Sequence, residues 1–440
     1  MPKEKDYTVV AYGLTGMNNL KKSPGYFLDD TKRITPHTIL NADAYDDGVV
    51  VMRNGYKLEV ALTRPHSLWS GSSVFCVAEG MLYLIDGKTP IPICPVSGPT
   101  AARMEYVELS GRVYMSNGYW KRIFELDSGA TRPWGLTLPS YPEFEQVAGD
   151  LPPGTYKLCY TRAHSASRTL GGNGPIAEVS WAGGTASLKL KNKPADCLAW
   201  ITEPNGSELF LAPVAGDGTV SSPFYNRPLP TFGVEAPPPL RGLCFAHGRM
   251  WGGDGKVVRF SEEFRAEHFM PDSRFDFSEN IVLIAPVQEG IFVNSLNTTW
   301  LLKGRDPAKM EKEKVGDGAI PGSLTFTQVE GAGYEISKKL SQLPSPVWAT
   351  RRGFVVGTAT GHVVHLTESK LKINAMSRAA SLSRVVEGRP QTLITLLGSP
   401  VGPQDEALSE DFTRGRIFIP APAEITLSGG AILDGEGEFA

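Results

Sequence analysis

The stretch Val74-Phe75-Cys76-Val77-Ala78-Glu79-Gly80-Met81-Leu82-Tyr83-Leu84-Ile85 decides the fold class. It holds two runs of apolar, aromatic and β-branched residues on either side of Glu79-Gly80, and Asp86-Gly87 ends the second run. Such runs are typical of strands, and glycine-containing pairs between them are typical of tight turns. The stretch therefore predicts a β-hairpin.

The same pattern recurs along the chain. Strand-like runs separated by glycine-containing turns, often beside an arginine, recur at residues 106–126, 243–260, 291–302 and 348–366. The spacing of about 35–65 residues is looser than the roughly 40–50 residues of a propeller blade but compatible with it, and small sheets that repeat in this way are typical of propellers. A β-sandwich is the alternative, but the repeated order of strand, turn, strand, turn and strand favours the propeller.

Composition agrees with an all-β fold. The 440 residues include 47 Gly and 34 Pro, which indicates many turns and few long helices. Hydrophobic residues make up 41% and charged residues 21%, as is usual for globular proteins. The formal net charge of -3 gives no electrostatic reason for tight binding to nucleic acid or to an anionic membrane.

Two segments are candidates for helices. Residues 306–314 combine a proline near the start with alternating Lys and Glu, and a solvated charged turn is an equal alternative. Residues 368–386 carry loosely periodic Leu371, Ala375, Ala379 and Leu382.

Residues 139–240 interrupt the repeats. Proline-rich flanks, including Pro237-Pro238-Pro239, predict stiff linkers around several alternating strands and a glycine-rich loop at 171–174. We interpret residues 141–236 as a small immunoglobulin- or fibronectin-like sandwich inserted into a propeller loop. The propeller then comprises residues 1–138 and 241–428, with about seven blades and a range of five to eight. Residues 429–440, with three acidic side chains, form a tail that we expect to be flexible or to form an interface.

Targeting segments and disulfides are not predicted. The opening MPKEKDYTVV lacks the apolar stretch of a signal peptide, and no window approaches the roughly 18 apolar residues of a membrane span. We therefore expect a soluble protein with no membrane segment. The five cysteines are odd in number and form no CxxC pair, so we predict buried free thiols. They are Cys76, Cys94, Cys159, Cys197 and Cys244.

Catalytic motifs find little support. There is no GxSxG, and residues 171–174 lack the rest of a phosphate loop. His362 and His365 read as strand residues, where a spacing of three points the two side chains to opposite faces. Residues 43–48 lack the ligand alternation of a calcium loop. We predict no catalytic, cofactor-binding or metal residue, no cofactor, and no enzymatic activity.

Five tryptophans lie near the same place in successive repeats, which favours a structural role in filling the space between sheets. A row of aromatic rings that stacks on carbohydrate is the alternative. The residues are Trp69, Trp120, Trp251, Trp300 and Trp348.

Weak motifs across most of the chain resemble one family. They lie at residues 13–19, 46–55, 156–178, 248–269, 300–307 and 318–323. Together they resemble propeller-type structural proteins of tailed bacteriophages, such as tail tubular protein B and the tail nozzle or hub proteins. The resemblance is a succession of short motifs, with no single diagnostic signature.

This resemblance implies a non-enzymatic virion component of the tail, made in the host cytoplasm. Such a nozzle, hub or tail-tip protein would form a homo-oligomeric ring around the DNA conduit, with only non-specific proximity to DNA. Its partners would be other tail or neck proteins, or fibres. Two alternatives stay open: a propeller that binds or cleaves carbohydrate on the host surface, and a protein-interaction scaffold without a phage context.

Overall fold

β-Strands joined by short turns make up the computed structural model of this chain, and its described residues include no α-helix. No described helix has the length and hydropathy that crossing a bilayer requires. The structure describes residues 26–28, 34–36, 42–44, 50–52, 58–100, 102–164, 169–220, 226–327, 344–368, 371, 373, 376–386 and 389–398. The motif at 13–19, most of the one at 43–48, and the predicted tail at 429–440 therefore lie outside the described residues.

The chain divides into two compact units. One comprises Pro65–Pro286, and the other comprises Met1–Arg64 together with Val287–Ala440. The second unit begins with two short antiparallel pairs, in which β1 pairs with β2 and β3 with β4. These strands are β1 (Tyr26–Leu28), β2 (Ile34–Pro36), β3 (Ala42–Ala44) and β4 (Val50–Met52).

The unit 65–286 contains three four-stranded sheets. In each sheet consecutive strands are antiparallel neighbours, which is the blade topology of β-propellers. The first blade holds β5 (Pro65–Ser70), β6 (Val74–Ala78), β7 (Met81–Asp86) and β8 (Thr89–Pro95). The second holds β9 (Glu105–Leu109), β10 (Arg112–Ser116), β11 (Lys121–Glu125) and β12 (Thr131–Arg132).

Seven further strands follow between the second and third blades. They are β13 (Phe144–Leu151), β14 (Gly154–His164), β15 (Thr169–Asn173), β16 (Ala177–Trp181), β17 (Ala186–Leu190), β18 (Cys197–Thr202) and β19 (Leu209–Leu211). β13 pairs with β17, while β14, β15, β16, β18 and β19 form a second sheet. Leu151 and Leu188 of the first sheet share one core with Tyr156, Leu158 and Ile201 of the second. We call residues 141–236 the module; its immunoglobulin-like class and its boundaries stay predictions.

The third blade completes this unit. It holds β20 (Arg241–Ala246), β21 (Arg249–Asp254), β22 (Val257–Glu262) and β23 (Arg265–Asp276). β24 (Leu283–Val287) then contains the boundary between the two units.

The other unit continues with the same architecture. β25 (Gly290–Asn294), β26 (Thr298–Lys303) and β27 (Glu311–Asp317) are antiparallel neighbours in that order. The next blade holds β28 (Thr325–Thr327), β29 (Ser345–Thr350), β30 (Gly353–Gly357) and β31 (Val363–His365). A long hairpin of β32 (Met376–Val386) and β33 (Arg389–Gly398) follows.

The prediction of an all-β, propeller-type fold is thus confirmed by the blades, and the count of about seven blades stays a prediction. Turn chemistry explains the agreement. The pairs Glu79-Gly80, Ser110-Gly111 and His247-Gly248 each have positive φ at both residues, with φ near 50° for the first residue and 75° for the glycine. Two consecutive positive φ values match the twist of a two-residue hairpin, and the glycine adopts this conformation without strain.

Both helix predictions are wrong. Residues 307–309 form only a 3₁₀ turn, and Glu311 to Lys314 belong to β27, which pairs with β26. Alternating Glu and Lys have the same period as a strand, and on a solvated strand such charges discourage pairing with other chains. Residues 376–386 form β32, where hydrogen bonding to β33 overrides the loose helical period.

The prediction of a glycine-rich loop at residues 171–174 is also wrong in part, because residues 171–173 belong to β15. The thiol prediction is confirmed: all five cysteines are free, with Cys94 half-buried and the other four buried.

Candidate functional site

The predicted equivalence of the tryptophans is wrong. Trp69 lies in the first strand of its blade, Trp251 in the second strand, and Trp120 in the turn before a third strand. The packing role favoured by the sequence does hold for Trp251 and Trp348, which are completely buried and cannot stack on a ligand. Trp69 stacks on Tyr106 of the next blade with ring centroids 5.4 Å apart.

His365 is the last residue of β31, and His362 directly precedes this strand. The His362 N–H donates to Thr358 Oγ1 at 2.9 Å, and His365 Nδ1 lies 3.7 Å from Glu368 Oε2. Within the described ranges, no three His, Cys, Asp or Glu side chains converge as metal ligands would.

A buried ion-pair cluster joins the second and third blades. Arg132, on β12, donates from Nη1 and Nη2 to the two carboxylate oxygens of Glu267, on β23, at 2.6 Å each. Arg132 is 7% exposed and Glu267 6% exposed. The Arg132 Nε donates to Glu125 Oε1 at 2.7 Å, and the Arg112 Nε donates to Glu125 Oε2 at 3.0 Å. The sequence did not predict this cluster, because Arg132 and Glu267 are 135 positions apart and no local pattern links them.

The electrostatics of this cluster suit a structural role. Burial opposes the charge on Arg132, but the Glu267 and Glu125 carboxylates raise its pKa above the ordinary value. Burial likewise opposes the charge on Glu125, yet the hydrogen bonds from Arg132 and Arg112 hold its pKa below the ordinary value. A general acid at neutral pH needs a raised carboxyl pKa, so Glu125 is unsuited to that task.

Glu105 is the carboxyl with the opposite environment. Burial raises its pKa, and its Oε2 accepts a hydrogen bond of 2.7 Å from the Leu243 N–H, which links β9 to β20. The neighbouring Cys244 thiol also has a raised pKa because of burial, with Glu105 adding to the shift. A thiol with a raised pKa carries little thiolate, so this pair lacks an activated nucleophile.

The last residues of the module, Val234 to Ala236, anchor it to the third blade. Val234 lies so close to β15 that a Cβ on Gly172 would be 1.7 Å from the Val234 carbonyl oxygen. Glu235 and Phe269, on β23, exchange two backbone hydrogen bonds of 2.7 and 3.1 Å. The segments that enter and leave the module also touch, since a Cβ on Gly135 would lie 2.6 Å from the Ala236 Cβ. The glycines at 171–174 therefore allow other backbone segments to come close to β15. The sequence alone did not distinguish this role from that of a flexible loop.

An exposed aromatic ring and an arginine stack beside the exit of the module. Arg241 Cζ lies 5.2 Å from the ring centroid of Tyr119, and this ring is 53% exposed. Arg241, the first residue of β20, and Arg103, before β9, are exposed. We call Tyr119, Arg241 and Arg103 the Tyr119–Arg241 surface.

Lys121 lies near this surface and is half-buried. Its Nζ donates to the carbonyl oxygen of Pro237, and burial lowers its pKa to about 8. Arg103 and Arg241 are the exposed cations of this surface. Guanidinium groups bind carboxylates or phosphates in a planar, bidentate manner.

A cleft of 740 Å³ opens on the module, lined by Leu190, Leu198, Leu211, Lys191 and Lys193, among others. Asn226 also lines the cleft, and residues 221–225, next to it in the sequence, lie outside the described residues.

Comparison with known proteins leaves the family open. No family model matches the sequence, and no curated protein matches it. Among solved structures, the N-terminal part of BBS1 in complex with ARL6DN is 8% identical, with a TM-score of 0.28, over 77% of this chain and 94% of that chain. Apo AztD from Citrobacter koseri is 12% identical, with a TM-score of 0.24, over 80% of this chain and 92% of that chain. The computationally designed Ika8 protein is 10% identical, with a TM-score of 0.26, over 77% of this chain and 99% of that chain. Such low scores add nothing on function.

Proposed function

We propose that this protein is a non-enzymatic structural subunit of a bacteriophage tail, which assembles in several copies and docks neighbouring tail proteins or fibres. The proposal combines the resemblance to propeller-type tail proteins with the way in which residues 65–286 are held together.

The observation that carries the proposal is the direct connection between the second and third blades. The bidentate Arg132–Glu267 pair is buried between them, and the indole N–H of Trp134 donates to the Ala266 carbonyl at 2.9 Å. A bidentate arginine–carboxylate pair has a defined planar geometry, so this pair fixes how the two sheets are placed against each other. A fixed arrangement of neighbouring sheets is what a rigid spacer requires.

Hydrogen bonds, partly exposed, also join the first blade to the second. The Met104 N–H donates to Ser67 Oγ at 2.9 Å, and Ser72 bonds to the Glu108 carboxylate through both its N–H and its hydroxyl. Three consecutive blades and the anchored module therefore form a connected body that presents loops for contacts with other proteins.

Density-gradient fractionation of a lysate that contains the protein together with its co-encoded proteins tests the proposal. We expect the full chain to sediment with assembled particles and immunogold to label their tails. Recovery of the chain only in the soluble fraction, while particles with complete tails form, would overturn the proposal. Soluble protein that instead bound to a glycan array would support the host-surface alternative.

A further inference from the structure

We propose that the Tyr119–Arg241 surface binds the acidic segment at residues 429–440 of a second copy of this chain. This inference rests on the proposed function, because it names a contact through which copies would assemble.

Tyr119 is held in place before any partner arrives. Asn117, which is 2% exposed, accepts hydrogen bonds from the N–H groups of Tyr119 at 2.9 Å and Trp120 at 2.7 Å. The Asn117 amide donates in turn to the Ser97 carbonyl at 2.9 Å. An exposed ring on a turn fixed by a buried side chain loses little conformational entropy when it binds.

Two glycines make room for the stack. Gly98 and Gly118 have φ values of 108° and 81°, in the region that favours glycine. A Cβ on Gly98 would lie 2.8 Å from the Tyr119 Cβ, and one on Gly118 would lie 2.4 Å from the Arg241 Nε. Both side chains of the stack therefore lie directly against backbone, in a defined arrangement.

This stack differs from two other cation–π pairs in the unit 65–286. Arg227 lies over Trp200 and Arg249 over Phe260, but Trp200 is completely buried and Phe260 is 9% exposed. Those pairs contribute to packing, whereas the Tyr119 ring faces solvent. Tyrosine and arginine are also the residue types enriched among the side chains that contribute most to protein interfaces.

The charge of the surface favours an acidic partner. Arg103 and Arg241 flank Glu105, whose carboxylate accepts the backbone N–H of Leu243 and whose raised pKa reflects burial. The Glu105 carboxyl thus bonds to backbone, while Arg103 and Arg241 are both exposed. A carboxylate paired with arginine forms charge-assisted hydrogen bonds.

Residues 429–440 have the matching chemistry. The segment reads GGAILDGEGEFA, with Asp434, Glu436 and Glu438 separated by single glycines and with no Lys or Arg. Because glycine has no side chain, the three carboxylates are separated only by backbone along the sequence, and Phe439 supplies a ring of the type that packs against tyrosine.

Charge reversal in the full-length protein tests this contact. We expect the wild-type chain to self-associate in sedimentation velocity, with the fraction in oligomers rising with concentration and falling with salt. The substitution Arg241→Glu should weaken association at least about tenfold. So should the triple substitution Asp434→Arg, Glu436→Arg and Glu438→Arg. Mixing the two variants should restore association, because the reversed charges then match.

The matched control is Arg274→Glu, which reverses another partly exposed arginine of the same unit and should leave association unchanged. Thermal unfolding of each variant verifies that it is folded, and Tyr119→Ala provides a second, uncharged disruption of the surface. The inference is overturned if the Arg241→Glu variant associates like the wild type, if the mixture fails to restore association, or if the wild type stays monomeric at all concentrations. A DNA oligonucleotide that binds the wild type, competes with self-association and is lost in the Arg241→Glu variant would also overturn it.

The two levels of proposal can fail separately. Particles that contain the protein but assemble normally with Arg241→Glu would refute this contact and leave the tail function standing. Self-association of the purified chain without incorporation into particles would refute the tail function instead.

Discussion

Glu267 accepts two hydrogen bonds of 2.6 Å from a guanidinium that is itself almost completely buried. The substitution Glu267→Ala would leave Arg132 with only the Glu125 carboxylate in a buried position. We expect it to lower the free energy of unfolding by about 3–5 kcal/mol, as is typical when one partner of a buried pair is removed. Urea unfolding followed by tryptophan fluorescence measures the change.

Glu145→Gln is the matched control, because the Lys191–Glu145 pair has a distance of 3.2 Å but is more than half exposed. Exposed pairs contribute at most about 1 kcal/mol, so this variant should unfold almost like the wild type. Equal losses in the two variants would show that the Arg132–Glu267 pair contributes nothing particular to stability.

We expect His268 to make the stability of the protein depend on pH below neutrality. Burial and then the nearby Arg265 charge lower the pKa of this imidazole, although Glu267, Glu262 and a hydrogen bond with the Leu170 backbone act in the other direction. The unfolded chain, with a histidine pKa of about 6.5, then binds the proton more readily than the folded chain. Stability should therefore fall as the pH drops through about 6.5 towards the folded pKa. His268→Gln should flatten the fall in urea midpoint between about pH 7 and pH 5, and an unchanged slope would contradict this assignment.

At the level of elements, β15 depends on the absence of a side chain at Gly172. A Cβ there would lie 1.7 Å from the Val234 carbonyl oxygen, which is backbone and cannot rotate away. We expect Gly172→Ala to lower stability by at least about 1–3 kcal/mol, the usual range for overpacking. It should also speed proteolysis at residues 228–237, where the module leaves. Gly183→Ala is the control, since a Cβ at Gly183 meets nothing within 4 Å.

The sequence predicted those strands in which apolar runs end at turn residues, such as β6, β7, β10 and β30. It missed the outer strands of the blades: β12 has only two residues, Thr131–Arg132, and β8 contains three prolines in Thr89–Pro95. Proline weakens a strand prediction because it cannot donate to a neighbouring strand. The two helix predictions failed because short periodic patterns do not distinguish a solvated strand from a helix.

The Tyr119–Arg241 surface was outside the reach of sequence analysis for a different reason. Tyr119 lies in a turn of the second blade, and Arg241 follows a proline-rich segment beyond the whole module. Only the packing of neighbouring blades brings them together. Gly98 and Gly118 allow the approach because they have no Cβ. Glycine is so common in turns that neither of these two residues indicated a binding surface in the sequence.

At the scale of the whole molecule, the two units predict a regional response to mutation. Glu267→Ala removes a contact within Pro65–Pro286, so amide hydrogen exchange should accelerate in β9–β12 and β20–β23. Strands β25, β26, β29 and β30, in the other unit, should change less. Exchange followed by mass spectrometry resolves these peptides, and uniform acceleration throughout the chain would show that the units open as one.

The contact between Gly135 and Ala236 has a practical consequence for this chain. Because Gly135 and Ala236 are adjacent, the backbone enters and leaves the module at neighbouring points. A short peptide link between these two points would therefore delete the module without stretching the chain. Another domain whose termini lie close together could be inserted in its place.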